Sequence, residues 1–484
     1  MSASKLVLAV IDGLKPSMLE RATRTGRAPV LAAVMERGAY VDDCVAAFPS
    51  VTPTCAASIA TGTGPDEHHI ASMNWYSRAE RRYVEYGSSF SASRRFGLTR
   101  QLTDTVYNMN ASHLSKGVKT VFEVLDDAGL RTAGTTYLMY RGRHRHEISR
   151  DTALARVAGA VFRHPVMGPK ELFYADVFAS RRTPCRSQLG MPGIRDRHAG
   201  CVGAYLVEHD LFDFLLLSLP DNDTYSHKYG PHAQVESIAA ADRQLERLML
   251  PAGGVDAFLD EHAVIVMADH SHAQVERTIR LTEVFGDFHV LGPGGPDEDA
   301  EIAACPAQRS AMLYVLLEEG RDALLPRLAK VARGVEGVDL VMWQAGGEGV
   351  IARDGAEVRF APGGEVADPR GGRWSVEGDV MGVLEGAISD GVLRTPSYPD
   401  ALARVWSALT APTTGDLLLS ATPGWEFLDW GGVAHVGGGS HGSLHASDSL
   451  GALLWSGTGP PTREERPQWT LRDVAPMVEA HFGV

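Results

Sequence analysis

Short, continuous runs of apolar residues recur along the chain, separated by segments with helical spacing. The runs LVLAVI (residues 6–11), FDFLLLSL (212–219) and AVIVMA (263–268) have the length and composition of strands buried on both faces. Helical patterns lie between them, at residues 28–37, 118–129 and 235–250. This alternation predicts an α/β fold with a doubly wound, mostly parallel sheet flanked by helices.

The pattern changes in character between residues 278 and 397. This stretch is rich in Gly, Glu and Arg, and it carries hairpin-like segments such as GVIARDGAEVRFAPGG (349–364), whose Asp-Gly pair is typical of a tight turn. After it, a helical pattern and the apolar run GDLLLSA (415–421) indicate that the first fold resumes. We therefore predict a catalytic core of residues 1–277 and 398–484, interrupted by an inserted, smaller α+β cap subdomain at 278–397.

The composition of the chain limits the kinds of molecule that the protein is expected to bind. The 484 residues carry a formal net charge of −14 with no basic tract, so we expect no nucleic acid polymer as a partner. No apolar run reaches membrane-spanning length, and we expect no membrane partner. The five cysteines form no CxxC pair and the N-terminal segment has no leader-like pattern, which favours reduced thiols and a cytoplasmic location. The sequence does not indicate an oligomeric state.

Acidic residues and histidines follow the ends of the three apolar runs. Asp12 comes directly after the first run, Asp221 and Asp223 follow the second, and Asp269 with His270 follows the third. The carboxyl ends of parallel strands open into one crevice of the sheet. We therefore expect these side chains to converge although they are far apart along the chain.

The spacing within each block suits a metal ion. Asp223 and His227 lie four residues apart across a predicted polar turn, and Asp269 and His270 place an oxygen and a nitrogen donor side by side. His441 lies in GGGSHG, where glycines let the backbone pass close to a site. Mixed Asp and His donors favour Zn²⁺ over Mg²⁺ or Ca²⁺, and Mn²⁺ or Fe also suit them.

A short helical pattern at residues 48–62, FPSVTPTCAASIATG, holds a candidate nucleophile. Thr52 occupies the predicted N-cap, Pro53 the first helical position and Gly62 the end of the helix. Taken alone, this is an ordinary capped helix. The same geometry also holds a hydroxyl over the positive end of a helix, where it suits a nucleophile that meets a phosphate.

Five motifs, taken in order, resemble those of a known superfamily. The Asp12-Gly13 pair, FPSVTPTCAASIATG, DNDTYSHKYGP, ADHSH and GGSHG are similar to the motifs of the alkaline phosphatase superfamily. They are closest to its nucleotide pyrophosphatase/phosphodiesterase branch, with phosphonoacetate hydrolase as a near relative. The resemblance covers roughly residues 5–275 and 398–450, and it implies a small phosphorylated substrate.

Carried onto this sequence, the resemblance implies two bound zinc ions. One ion would be held by Asp223, His227 and His441, and the other by Asp12, Thr52, Asp269 and His270. Thr52 would be the catalytic nucleophile, activated by metal coordination, and would form a covalent phosphothreonine intermediate. Other histidines near the motifs are not expected to be ligands: His68, His69, His232, His272, His435 and His445.

Two positions depart from the pattern of the branch. Three residues after its nucleophile the branch usually has an asparagine, where this chain has Cys55, a weak donor. A second family asparagine donates to a non-bridging phosphate oxygen, and Asn74 matches it only with a one-residue slip. Arg141 and Arg143 are the other candidates for substrate binding, although such a charge cluster also suits a solvated face. The polar stretch 74–114 is predicted to form surface loops.

The sequence therefore predicts a hydrolase of phosphoric ester bonds, acting as a phosphodiesterase or nucleotide pyrophosphatase through Thr52. A phosphomonoesterase or phosphonate hydrolase on the same scaffold is the first alternative, and the extra charge of a monoester would favour an arginine or lysine at the phosphate. A phosphomutase and a non-catalytic binding protein are further alternatives. The presence of every expected metal ligand argues against the last of these.

Overall fold

The structure, a computed structural model, describes residues 5–148, 164–174, 177–187, 195–295, 297–317 and 320–484. Its strands are, in chain order, β1 (Lys5–Ile11), β2 (Ala39–Val45), β3 (Asn74–Ser77), β4 (Arg82–Glu85), β5 (Thr132–Thr135), β6 (His144–His146), β7 (Val166–Gly168), β8 (Glu171–Tyr174), β9 (Phe178–Ala179), β10 (Phe214–Leu219), β11 (His262–Met267), β12 (Ala273–Ile279), β13 (Ile302–Ala307), β14 (Ser310–Val315), β15 (Val338–Ala345), β16 (Glu348–Arg353), β17 (Ala356–Ala367), β18 (Arg373–Gly378), β19 (Ala387–Ser389), β20 (Val392–Arg394), β21 (Leu417–Ala421), β22 (Gly424–Phe427), β23 (Gly439–Ser440) and β24 (Leu450–Ser456).

The α-helices connect these strands and cover the sheets. They are α1 (Pro16–Arg24), α2 (Pro29–Arg37), α3 (Thr52–Thr61), α4 (Pro65–His68), α5 (Phe90–Phe96), α6 (Leu98–Thr103), α7 (Val121–Asp127), α8 (Arg195–Glu208), α9 (Asp221–Tyr229), α10 (Val235–Met249), α11 (Val255–Glu261), α12 (Leu281–Val284), α13 (Arg321–Arg333), α14 (Val380–Leu384), α15 (Ala401–Thr410), α16 (Ala446–Ser449) and α17 (Val474–Phe482). A π-helix, Asp104–His113, continues directly from α6.

An eight-stranded sheet forms the centre of the fold, with the order β2-β24-β11-β1-β10-β5-β8-β9. The five strands β11, β1, β10, β5 and β8 run parallel, whereas β24 is antiparallel to β11 and β9 is antiparallel to β8. The three apolar runs noted in the sequence are β1, β10 and β11, the adjacent strands at its middle. The predicted mostly parallel sheet is therefore confirmed.

Helices cover both faces of this sheet. Alternate side chains of a strand point to opposite faces, and β1 divides accordingly: Leu6 and Leu8 join one apolar core, and Val7 and Ala9 join another. The first core includes apolar residues of α3, α7 and α17, and the second includes those of α1, α2, α8, α10 and α11. Burial on both faces explains why the central strands are continuously apolar, and it confirms the doubly wound prediction.

The second half of the chain builds another sheet. It has nine strands, with the order β13-β14-β21-β15-β16-β17-β20-β19 and β18 paired to β17. The predicted hairpin is β16–β17, and its turn residues Asp354 and Gly355 both have positive φ, at 46° and 88°. The run at 415–421 was assigned to the resumed core, but its strand β21 pairs with β14 and β15 in the second sheet. An apolar run of this kind would be buried in either sheet, so its composition does not indicate which sheet the strand joins.

A buried ion pair connects the two sheets. Arg309 lies in the turn between β13 and β14, and its Nη1 donates to Oδ1 of Asp448, in α16 of the core, at 2.6 Å. Both side chains are fully buried. Asp448 also accepts hydrogen bonds from the backbone N–H and the hydroxyl of Ser443, and the backbone N–H of Arg309 donates to the carbonyl of His441. The second sheet therefore helps to hold the loop that carries His441.

The stretch 74–114 is not the set of surface loops that its polarity predicted. It contains the hairpin β3–β4, the helices α5 and α6, and the π-helix. Trp75 and Tyr76 are buried, and the ring of Tyr76 lies 5.8 Å from that of Tyr314 in the second sheet. Tyr76 of β3 and Tyr83 of β4, whose hydroxyl accepts from the backbone N–H of Ala304, thus pack against the second sheet, a contact between distant segments that local sequence polarity does not reveal.

The cysteines differ from the expectation of five reduced thiols. Cys185 and Cys201, which are 16 residues apart, form a disulfide, and Cys44, Cys55 and Cys305 are buried and free. The pair has no spacing motif that would have indicated it. The cytoplasmic location loses one of its supports and stays a prediction. Within the described part of the chain, no helix has both the length and the apolar character needed to cross a membrane.

Candidate active site

The predicted donors lie at one edge of the central sheet. Strand β1 is flanked in parallel register by β10 and β11, which aligns Ile11 with Leu219 and Val10 with Met267. Asp12 follows the end of β1, Asp269 and His270 follow β11, and helix α9 begins directly after β10. His441 follows β23, whose Ser440 pairs with Ala273 of β12. The convergence predicted from the strand ends is thus present in the structure.

Asp223 and His227 lie on a helix rather than across a polar turn. The segment DNDTYSHKY forms α9, with Asp221 and Asp223 in its first turn. Acidic side chains there interact favourably with the positive helix end, which explains how a segment without apolar periodicity becomes helical. Residues four apart share one helix face, and His227 Nε2 lies 3.3 Å from Asp223 Oδ1.

One group of donors is centred on Asp223. Its Oδ1 lies 3.3 Å from Nε2 of His227, 3.4 Å from Nε2 of His441 and 3.0 Å from Nε2 of His272. The four donor atoms lie within 4.8 Å of one another, so the group could hold a metal ion. His272 was not among the three ligands predicted for this ion from the sequence.

A second group adjoins the first and is centred on His270. Its Nε2 lies 3.2 Å from Thr52 Oγ1, 3.5 Å from Asp12 Oδ1 and 3.4 Å from Asp269 Oδ2. Asp223 belongs to this group as well, because its carboxylate lies within 4.8 Å of donor atoms of Asp12 and His270. The rings of His270 and His441 stack with centroids 3.5 Å apart, so the two donor groups are in direct contact.

Backbone carbonyls distinguish the three predicted histidine ligands from His272. Nδ1 of His227 lies 2.7 Å from the carbonyl oxygen of Gly439. Nδ1 of His270 lies 3.1 Å from the carbonyl oxygen of Ser271, and Nδ1 of His441 lies 2.9 Å from that of Ser50. Each Nδ1 therefore carries the proton, and each Nε2 has a lone pair available for a metal. His272 Nδ1 has no partner in the described structure. The proton of His272 then belongs on Nε2, where it donates to Asp223.

Burial dominates the electrostatics of both groups. It lowers the pKa of His270 and of His441 to about 4, so both rings are neutral at pH 7. Burial, with the charges of Asp269 and Asp223, raises the pKa of Asp12 well above its usual value. For Asp223 burial acts in the same direction, but the interaction with His227 and the hydrogen bond from His272 hold its pKa well below the usual value.

The surroundings of Asp12 show most clearly that the site suits a cation. Its Oδ1 is buried and has no hydrogen-bond partner in the described structure, while its backbone carbonyl accepts a 2.8 Å hydrogen bond from Asn222 Nδ2. A buried carboxylate oxygen without a partner is costly unless a cation faces it. The hydrogen bond from Asn222 holds the backbone of Asp12 in place, and Oδ1 of Asp12 is available to bind a metal ion beside His270.

Thr52 is the first residue of α3 rather than its N-cap. Val51, in an extended conformation, occupies the cap position, and no side chain caps the helix. The prediction was off by one residue, because the Thr52 hydroxyl contacts His270 instead of a backbone N–H of α3. The predicted end of the helix is confirmed: Gly62 has a φ of 70°, the left-handed region that favours glycine.

The three predicted substrate-binding residues are engaged elsewhere. Asn74 is fully buried in β3, where its Nδ2 donates to the Val84 carbonyl and its Oδ1 has no partner in the described structure. Arg141 pairs with Glu123 at 2.9 Å and donates to backbone carbonyls, and Arg143 pairs with Glu123 and Asp127. The structure brings none of the three into hydrogen-bond contact with the donor groups, and their binding role stays a prediction.

Two features near the site were not predicted from the sequence. His272 follows His270 by two residues in ADHSH, and that proximity was the only signal for it. Glu426, a buried residue of β22, accepts from His435 Nδ1 at 2.7 Å, and the His435 ring stacks on His227 with centroids 3.9 Å apart. Glu426 is far from every motif along the chain, so no sequence signal pointed to it.

Sequence and structure comparisons identify the family. The profile of the type I phosphodiesterase/nucleotide pyrophosphatase family matches residues 6–444. The chain belongs to this family. The match spans all seven predicted metal donors, from Asp12 to His441. A comparison with curated proteins finds no match.

Solved structures of type I phosphodiesterase relatives share the fold. Murine ectonucleotide pyrophosphatase/phosphodiesterase 5 is 12% identical with a TM-score of 0.59, and the alignment covers 99% of this chain and 95% of that one. Phosphonoacetate hydrolase from Sinorhizobium meliloti 1021, in complex with phosphonoformate, is 17% identical with a TM-score of 0.57, covering 99% and 96%. The predicted alkaline-phosphatase-like fold is confirmed, and membership of the family confirms the prediction of a phosphoester hydrolase.

Gly13 offers a direct test of the site geometry within this family fold. Its φ is +66°, and a Cβ there would lie 2.5 Å from Nε2 of His272. Gly13→Ala is therefore expected to displace His272 and to weaken metal binding by about 10–100-fold, measured by titration of the metal-free protein. Gly26→Ala is the matched control, since Gly26 has a φ of +69° and nothing within 4 Å of the added atom. Equal metal affinity in both variants would contradict the geometry.

Proposed function

We propose that this chain is a metal-dependent phosphodiesterase or nucleotide pyrophosphatase that acts through a covalent phosphothreonine intermediate on Thr52. The proposal rests on the position of Thr52, the first residue of α3. Its Oγ1 lies 3.2 Å from His270 Nε2, next to the two donor groups. Its substrate is a small phosphorylated molecule. The type I phosphodiesterase family supports the reaction class.

The donor sets support two divalent ions as cofactors. Asp223, His227 and His441 would hold one ion, and Asp12, Thr52, Asp269 and His270 would hold the other. Neutral imidazoles with carboxylates favour Zn²⁺, and Mn²⁺ or Fe also suit these donors. Bound there, the ions would lower the pKa of the Thr52 hydroxyl and stabilise negative charge on the phosphoryl and leaving oxygens.

Residues of the chain itself orient the nucleophile and the phosphate. Thr52 begins α3, so its hydroxyl lies at the helix end that attracts anions. Backbone carbonyls keep the proton of each predicted ligand histidine on Nδ1, and His272 donates to Asp223 and restrains its carboxylate. The nucleophile and the donors are thus held in place before a substrate arrives, which lowers the cost of reaching the transition state.

Charge favours a diester over a monoester. While the Thr52 hydroxyl keeps its proton, the three carboxylates of Asp12, Asp223 and Asp269, set against two divalent ions, would leave about one positive charge. This charge suits the single negative charge of a phosphodiester better than the double charge of a monoester. A monoester or phosphonate dianion calls for a further cation. Arg141 and Arg143, the candidates for that role, are paired with Glu123 and Asp127.

A phosphonate or monoester hydrolase is the second candidate, because the fold is also that of phosphonoacetate hydrolase. The two functions are separated by the turnover of bis(p-nitrophenyl) phosphate, p-nitrophenyl phosphate and phosphonoacetate by the zinc-loaded protein. We expect kcat/KM for the diester to exceed that for the monoester by more than about tenfold, a difference of about 1.4 kcal/mol in transition-state binding. Faster turnover of the monoester or of phosphonoacetate would favour the second candidate.

A further inference from the structure

A basic surface lies on the helices α5 and α6. Residues 86–103 contain three arginines and no aspartate or glutamate, although the protein as a whole carries a net charge of −14. Arg94, Arg95 and Arg100 are all exposed, and none of them forms an ion pair or side-chain hydrogen bond within the described residues. They line one cleft of about 550 Å³ together with Leu98 and Pro293.

Large apolar side chains project from the same region. Phe90 is 70% exposed and Leu98 is 41% exposed. Phe90 and Arg94 are four residues apart in α5, so they share one face of the helix. An apolar side chain as exposed as Phe90 gains nothing from folding, and neighbouring arginines without partners attract an anionic counterpart.

The neighbouring loop 429–438 extends this surface. It carries two more exposed apolar residues, Val433 at 36% and Val436 at 59%. The loop lies tightly against α5, because a Cβ on Gly431 would be 2.5 Å from the backbone nitrogen of Ala92. Its His435 stacks on His227 of the first donor group. The surface therefore adjoins the candidate active site.

We propose that this surface docks the protein onto an anionic lipid surface. The docking surface consists of Phe90, Arg94, Arg95, Leu98, Arg100, Val433 and Val436. The arginines would bind lipid headgroups, and the apolar side chains would enter the boundary between headgroups and acyl chains. A small anion would use the arginines alone and would leave Phe90 and Val436 in water. A lipid surface accounts for both the cations and the apolar tips, so it is the occupant the observations favour.

This inference goes beyond the proposed function and does not depend on it. Docking by α5 and the loop 429–438 would place His227, on which His435 of that loop stacks, close to the lipid surface. Neither α5 nor α6 could span a membrane, since they are only seven and six residues long. The attachment would be peripheral, reversible and weakened by salt.

Flotation of the full chain with vesicles tests the proposal. We expect binding to phosphatidylcholine vesicles that contain 30% phosphatidylserine (roughly the anionic content that electrostatic docking requires), and little binding to pure phosphatidylcholine. Replacing Arg94, Arg95 and Arg100 together by alanine should weaken binding about 100-fold, since each contact is worth about fivefold, or about 1 kcal/mol. Phe90→Ser with Val436→Ser should weaken binding as well, by about tenfold or more.

Matched substitutions on the second sheet serve as controls. Arg373→Ala, Arg394→Ala and Met381→Ser alter exposed residues of the same kinds, and they should leave binding unchanged. The midpoint of thermal unfolding, followed by circular dichroism, reports whether each variant is folded. Turnover of a soluble diester is read separately, so a wrong assignment of the chemistry does not affect the binding result. Absent binding to anionic vesicles, or equal binding by the triple arginine variant, would overturn the proposal. Binding that needs the arginines but not Phe90 and Val436 would also overturn it, in favour of an anion site.

Discussion

Thr52→Ala is expected to abolish turnover while the protein keeps its metal. The substitution removes the hydroxyl that lies 3.2 Å from His270 Nε2, and the six other donors remain. Loss of a nucleophile that forms a covalent intermediate lowers kcat by on the order of 10⁴-fold or more. Steady-state kinetics on a soluble diester, with metal analysis of the same preparation, measures both quantities.

Thr54→Ala is the matched control for this experiment. Thr54 lies in the same helix, and its buried hydroxyl has no partner in the described structure, so its loss should change kcat little. Thr52→Ser keeps a hydroxyl and should retain part of the activity. If Thr52→Ala turned over substrate within about tenfold of the natural protein, Thr52 could not be the nucleophile.

Asp223→Asn is expected to remove both metals and the activity with them. Asp223 accepts from His272 and is a ligand of the first ion in the proposed site, and its carboxylate also lies within 4.8 Å of donor atoms of Asp12 and His270. Among the described residues it alone belongs to both donor groups. An amide has no charge to offset the ions, and we expect the affinity for each to fall by more than about 100-fold, beyond the loss typical of supporting residues. Metal titration followed by elemental analysis separates the two sites.

Asp221→Asn provides the comparison within the same helix. Its carboxylate accepts hydrogen bonds from Arg195 and from the backbone of Asp196, and it belongs to neither donor group. We expect this variant to bind two ions per chain with nearly natural affinity. Retention of one tightly bound ion by Asp223→Asn would show that the residue serves a single site.

The parts of the fold that follow from local pattern could be predicted. Residues 6–11, 212–219 and 263–268 are buried on both faces, so each reads as a continuous apolar run, and the donors after them converge because parallel strands end at the same edge. The convergence of Asp12, Asp269 and His270 therefore required no knowledge of the tertiary structure. Their role as metal ligands stays a prediction.

The errors came from contacts between distant segments. The run at 417–421 is equally apolar in either sheet, so its sequence does not say which one receives it. The burial of Tyr76 depends on Tyr314, more than 200 residues away. The ion pairs of Arg141 and Arg143 with α7 could not be predicted either, because a strand and a turn separate the partners along the chain, and the substrate-binding role of both arginines stays a prediction.

The position of β21 determines which piece of this protein could be exchanged as a module. Excision of 278–397 would delete β14 and β15, leaving both edges of β21 without partners and open to association with other chains. The same cut would remove Arg309 and leave the buried charge of Asp448 alone, a loss of about 3–5 kcal/mol. A recombinant chimera between relatives would therefore have to carry the second sheet through Ala421. The two sheets therefore depend on each other through β21 and through the ion pair of Arg309 with Asp448.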